Sequence, residues 1–171
     1  RDAIRLFLVK KLSWIRKQQK DFRKVERQPP RDFLRRESHY FLGLRYLLDV
    51  VESNEKQQVV QKNKKTLALQ IRPGASHIKA QEIMDAFYRN ELKLIVSSLI
   101  EKWEPILKVQ VSDWQVKKMR TRWGTCNHEK GRILVNLELA KKPPRCIEYI
   151  VVHEMVHLLE RTRWNASRLP E

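Results

Sequence analysis

Residues 143–160, PPRCIEYIVVHEMVHLLE, constrain the chain more than any other stretch. Most of it is apolar, yet it carries His153, Glu154 and His157 in the order H-E-x-x-H. On a helix, residues four apart share a face, so His153 and His157 can each turn a ring nitrogen toward one Zn²⁺. Glu154 rotates to the flank of that ion, where it can take a proton from a metal-bound water instead of ligating. Pro143 and Pro144 suit a helix start, because proline presets φ and the first-turn N–H groups have no intrahelical partner. The β-branched run Ile150-Val151-Val152 pulls mildly toward a strand. The proline start and the continuing apolar pattern outweigh it. An apolar helix rarely buries two histidines and a glutamate without a task for them. A metal site is therefore expected rather than an accident of the core.

A chain of 171 residues is expected to form a single domain over residues 1–171 with a real core. Its formal net charge of +16 is the unusual number. Such a field attracts polyanions, so non-specific contact with nucleic acid is expected, but no recognised binding motif accompanies it. The two cysteines, Cys126 and Cys146, form no C-x-x-C pair. That suits a reducing cytoplasm. Charges interrupt every apolar segment before it reaches a membrane-spanning length, and no secretory signal is visible. No membrane partner is expected. The chain begins at Arg1 without Met, so a segment is expected to precede it.

Taken in order, residues 1–27 read as a basic amphipathic helix with Ile4, Leu8, Leu12 and Ile15 on one stripe, packed on the domain. Pro29 and Pro30 end it. Residues 38–72 read as a meander of antiparallel strands, with Gly43, Asn54, Asn63 and Lys64 supplying turns. Residues 76–104 form the clearest helix. Ser76 is its candidate N-cap, and Met84, Tyr88, Leu92, Ile95, Leu99 and Trp103 form its apolar stripe. Pro105 is expected to stop it, and His77 at its start reads as a surface or capping residue. Val109, Val111, Trp114 and Val116 alternate with a slip at Ser112-Asp113, which suggests a turn or bulge. Residues 120–128 read as a polar and aromatic loop, and residues 132–136 as a short strand leading through residues 137–140 into the motif helix.

Two further stretches point the same way. Lys118-Met119-Arg120-Thr121-Arg122-Trp123-Gly124-Thr125-Cys126 resembles the signature K-x-x-T-R-W-G-S-C, and residues 136–144 followed by 149–154 resemble N-L-x-L-x-x-x-P…Y-V-V-x-H-E. Both are signatures of the YgjP-like metallopeptidases, relatives of the WLM and SprT-like zincin hydrolases. The resemblance covers most of the chain, including residues 71–74 and 103–105. It implies a small α+β, zincin-like domain and a zinc-dependent hydrolase or peptidase; some members are described as nucleotide pyrophosphatases acting on UTP. The family pattern continues H-E-x-x-H-x-x-E-R-x-H-N, with a third histidine six residues after the second. Arg163 stands at that place here, with Trp164 before Asn165. Arginine has no lone pair to give a metal, and its charge opposes Zn²⁺. The sequence stops at Glu171, where an intact member is expected to continue, so a truncated or altered C-terminus is expected. Glu160, seven residues after His153, and His128 are substitute ligands.

The first expectation is a cytoplasmic zinc hydrolase acting on peptides, impaired by the change at Arg163. His153 and His157 hold one weakly bound Zn²⁺, Glu154 activates the water, and Arg122 stabilises developing negative charge beside Trp123. The strand at residues 133–135 could hold an extended peptide by β-addition. A second expectation is nucleotide (UTP) pyrophosphate hydrolysis, with Arg122 and Lys117 or Lys118 clamping phosphates, although no Gly-rich phosphate loop is present. A third is an inactive, basic nucleic-acid-binding relic.

Overall fold

A computed structural model of the protein describes Phe33 and residues 36–166, with residues 160–166 described as helix backbone. The chain divides into two compact units, Arg1–Asp32 and Phe33–Glu171; all described residues belong to the second. The amphipathic helix expected over residues 1–27 lies outside them. The unit is α+β, with two mixed sheets and two helices.

The first sheet contains β1 (Ser38–Phe41), β2 (Leu44–Glu52), β3 (Gln58–Asn63) and β4 (Thr66–Ile71), in the order β1-β2-β4-β3. The antiparallel meander expected here needs correction. β1–β2 and β3–β4 are antiparallel, but β2 and β4 pair in parallel, from Leu47↔Thr66 to Glu52↔Ile71. Burial explains the exchange of places. β4 carries Leu67, Ala68 and Leu69, all fully buried, so neither of its faces can meet water. β3 reads Gln-Val-Val-Gln-Lys-Asn and is exposed over its second half. The polar strand takes the edge and the apolar one the interior.

Ser76 caps α1 (His77–Leu107), its Oγ accepting from the Lys79 backbone N–H at 3.3 Å. The buried line of α1 runs through Ala80, Ile83, Met84, Tyr88, Leu92, Val96 and Ile100, while Ile95, Leu99 and Trp103 only flank the core. Pro105 does not stop the helix. A proline in the last turn forfeits one backbone bond, and α1 runs on to Lys108, whose left-handed cap (φ 55°) returns its N–H to the Glu104 carbonyl. His77 is exposed at the first turn, as expected of a surface residue.

The second sheet contains β5 (Asp113–Lys117), β6 (Gly124–Asn127) and β7 (Arg132–Asn136), in the order β5-β7-β6. Two expectations change here. Residues 124–127 form a strand rather than loop, antiparallel to β7. Residues 133–135 lie in the middle strand, with β5 parallel on one side and β6 on the other, so β7 has no edge to offer a peptide. A 3-10 turn (Leu137–Lys141) then leads into α2 (Pro144–Ala166).

The first sheet meets the 3-10 turn at the entrance to α2. Leu42 and Gly43, in the β1–β2 turn, donate backbone N–H groups to the carbonyls of Ala140 (2.9 Å) and Lys141 (3.3 Å). Gly43 has φ +81°, and a Cβ there would lie 2.7 Å from the Pro143 ring. Only glycine meets both demands. Both sheets, both helices and the 3-10 turn bury their apolar residues in one cluster.

Candidate metal centre

α2 is built to present its polar residues beside a packed face. Ile147, Val151, Met155 and Leu158 are buried at three- and four-residue steps. Glu154 falls on the same side and is only 6% exposed, while His153 is exposed and His157 half-buried on the flank. The two imidazoles meet edge to face, 85° apart, with Nε2 atoms separated by 3.3 Å. Two ligands about 2.05 Å from a tetrahedral Zn²⁺ stand about 3.3 Å apart. The helix thus sets the bite distance of half a tetrahedral site.

Glu154 reaches its place because residue 124 has no side chain. A Cβ on Gly124 would lie 2.6 Å from Glu154 Oε1 and 2.7 Å from its Cγ. β6 therefore passes directly over the carboxylate. Burial pushes the Glu154 carboxyl above the usual carboxylate range, against the opposing pull of His153, His157 and Arg122. A carboxylate raised in this way is better matched to accepting a proton near neutral pH.

Arg122, Gly124, Thr125, Cys126, His128, Glu154 and His157 line one cavity of about 320 Å³. The structure thus gathers Arg122 and His128 with two of the three motif residues. Lys117 and Lys118 do not line it; Lys118 pairs with Asp85 on α1 at 3.0 Å. Among the described residues no group of three or more His, Cys, Asp or Glu is placed to hold a metal ion; His128 shares the cavity with His157. The side chains of Glu160 and Arg163 lie outside the described residues, but the α2 backbone is helical through both.

Sequence reasoning passed over Asn136. It is 4% exposed and ties the Arg122 loop to the start of the 3-10 turn by four side-chain bonds. Its Nδ2 donates to the carbonyls of Met119 (3.0 Å) and Arg122 (2.6 Å), and its Oδ1 accepts from the N–H groups of Met119 (3.3 Å) and Glu138 (3.1 Å). Its own backbone N–H donates to Trp123 O at 2.9 Å. An asparagine closing an apolar strand was the available signal, because its amide can cap a turn and bind a loop at once.

Searches among curated proteins and solved structures return no match. The model of the YgjP-like metallopeptidase domain matches residues 1–162, a span that includes His153, Glu154 and His157 and stops before Arg163. That family implies a divalent metal, and the histidine pair suits two of its ligands. The chain belongs to the YgjP-like metallopeptidase family.

Proposed function

We propose that the chain is a zinc-dependent hydrolase of peptides, with His153 and His157 as metal ligands and Glu154 as general base. The observation that carries this reading is the 3.3 Å Nε2–Nε2 separation beside a buried carboxylate. Zn²⁺, when bound, supplies Lewis acidity that polarises the scissile carbonyl and acidifies a water. Glu154 accepts the proton of that water and can return it to the leaving amine. Arg122, whose charge already acts on Glu154, offsets negative charge as it develops on the substrate. β6 is an outer strand beside Glu154, so a peptide added along it, rather than along β7, would carry its backbone past the carboxylate. Arg163 gives the metal nothing, and Glu160, on the same helix face as His153, is the nearest substitute by spacing.

Metal analysis of the parent, His153→Ala and His157→Ala tests the site, together with peptide and UTP hydrolysis on the same samples. The expected result is zinc in the parent, its loss in both variants, and peptide turnover that depends on it. Undiminished metal in both variants would remove the histidine pair from the site. Hydrolysis of UTP with no peptide cleavage would replace the substrate class.

A further inference from the structure

A second cavity lies between Trp123 and the first turns of α2, the helix that carries the histidine pair. It measures about 470 Å³, within the range of roughly 300–1,000 Å³ typical of ligand sites. Trp123, Leu139, Cys146 and Ile150 form its walls, Lys142 and Arg145 also line it, and Tyr149 stands exposed at its mouth. Cys146, Ile150 and His153 follow at helical steps on α2, so His153 stands one turn beyond the wall of the groove. The Tyr149 ring stacks on His153 with centroids 6.1 Å apart and planes 21° apart. Trp123 sits between Arg122 and Gly124, both of which line the Glu154 cavity. This groove and the Glu154 cavity are therefore joined through the chain at residues 122–124.

The chemistry of the groove restricts its occupant. Its walls are aromatic and aliphatic, so the buried part of a ligand must be apolar. Lys142 and Arg145 are exposed cations, Lys142 Nζ lying 5.3 Å over the Trp123 ring, and no carboxylate lines the groove. Glu138 and Glu148, the acidic residues nearest in sequence, are taken by Lys141 (2.6 Å) and Lys102 (2.7 Å). An apolar floor beside two cations suits a hydrocarbon group with an anion next to it. A pyrimidine on its phosphates has the anion, but its ring carbonyls and N–H would lose their water against these walls without replacement.

We propose that this groove is the side-chain specificity pocket of the hydrolase, taking a large apolar or aromatic residue of a peptide whose neighbouring group is a carboxylate. The proposal rests on the peptidase reading of the adjacent centre, but its test needs no metal and no turnover. Cys146 provides the readout, since a side chain seated in the groove covers its thiol. Alkylation by iodoacetamide is followed by mass spectrometry on the full chain, with free glutathione in the same solution as the reference thiol. The probes are N-acetyl-Phe-Glu, N-acetyl-Ala-Glu, N-acetyl-Phe-Lys and uridine monophosphate. N-acetyl-Phe-Glu should slow Cys146 selectively, and the alanine probe should need at least about tenfold more ligand for the same protection. Lys142→Glu should reverse the order of the Phe-Glu and Phe-Lys probes. If the thiol proves unreactive in the free protein, calorimetric titration with the same four probes decides. Equal effects of the Phe and Ala probes, no binding of either, or protection by the nucleotide alone would overturn the proposal. Failure to cleave peptides with binding intact would instead count against the hydrolytic reading of the centre.

Discussion

α1 and α2 pack within the same core, yet they bury different chemistry. Inward from α1 come apolar side chains and Tyr88, whose hydroxyl donates to the Tyr40 carbonyl at 3.0 Å. Inward from α2 come Ile147, Val151, Met155 and Leu158, and among them the carboxylate of Glu154. Each apolar residue buried on α1 stabilises the fold. Burying a carboxylate carries a desolvation cost that the apolar residues of α1 do not bear. The contrast teaches that α1 holds the structure up, while α2 gives some of that stability away to keep one proton acceptor beside two histidines.

The contrast can be broken most sharply at Leu92, fully buried at the middle of α1. Leu92→Ala should lower unfolding free energy by about 2–5 kcal/mol, read as a shifted urea midpoint. Glu154→Gln should leave the midpoint unchanged or higher, keep the metal, and cut peptide turnover by about 10²-fold, equivalent to about 2.7 kcal/mol of barrier. If Glu154→Gln instead destabilises as Leu92→Ala does, Glu154 belongs to the core and not to the chemistry. Gly124→Ala sharpens the same point from β6. The new methyl must push Glu154 aside, so turnover should fall while stability drops by about 1–3 kcal/mol; a variant with full activity would show that the close approach is dispensable.

A smaller effect lies where the two helices touch. Lys102 Nζ and Trp103 Nε1 on α1 donate to Glu148 Oε1 on α2 at 2.7 and 2.9 Å. The bond from Lys102 first, then that from Trp103, holds the Glu148 carboxyl below its usual range. A depressed carboxylate contributes stability above its unfolded pKa, about 4.3, and loses it as pH falls through the folded value. The stability gap between the parent and Glu148→Gln should therefore be greatest near neutral pH and close on acidification. A gap that widens in acid would contradict the assignment. The smallest effect is expected at Arg163. Six residues beyond His157 in unbroken helix lie about 9 Å along the axis and about 240° round it. Arg163→His alone should leave zinc affinity unchanged in a calorimetric titration, whereas Glu160→Ala should weaken it. Marked tightening by Arg163→His would mean that the helix opens before residue 163.

What could be read from sequence was what local rules control. The H-E-x-x-H spacing places three polar side chains on α2, Ser76 marks the start of α1, and turn residues separate the four strands of the first sheet. Pairing was less legible. Nothing local to β2 or β4 says that they run parallel; only the burial of Leu67, Ala68 and Leu69 on both faces forces β4 inward. β6 went unread because four residues, Gly-Thr-Cys-Asn, carry no apolar alternation, and its position depends on Gly124 clearing Glu154. The groove beside Trp123 was hidden for another reason: its walls come from a loop, a 3-10 turn and a helix, and no window of sequence contains all three.

The seam between Gly43 and Pro143 has a consequence for how the protein is made. The β1–β2 turn can bind Ala140 and Lys141 only after a further stretch of roughly a hundred residues has been synthesised, a large loop to close. The first sheet leaves the ribosome early but waits for its lock, and the histidine pair is among the last described parts to emerge. A nascent chain therefore has no assembled place for an ion until its first sheet can already receive the entrance to α2. Mutations that loosen the Gly43 seam should appear first as slow maturation and low metal content in freshly made protein, before any loss is seen in chains that have finished folding.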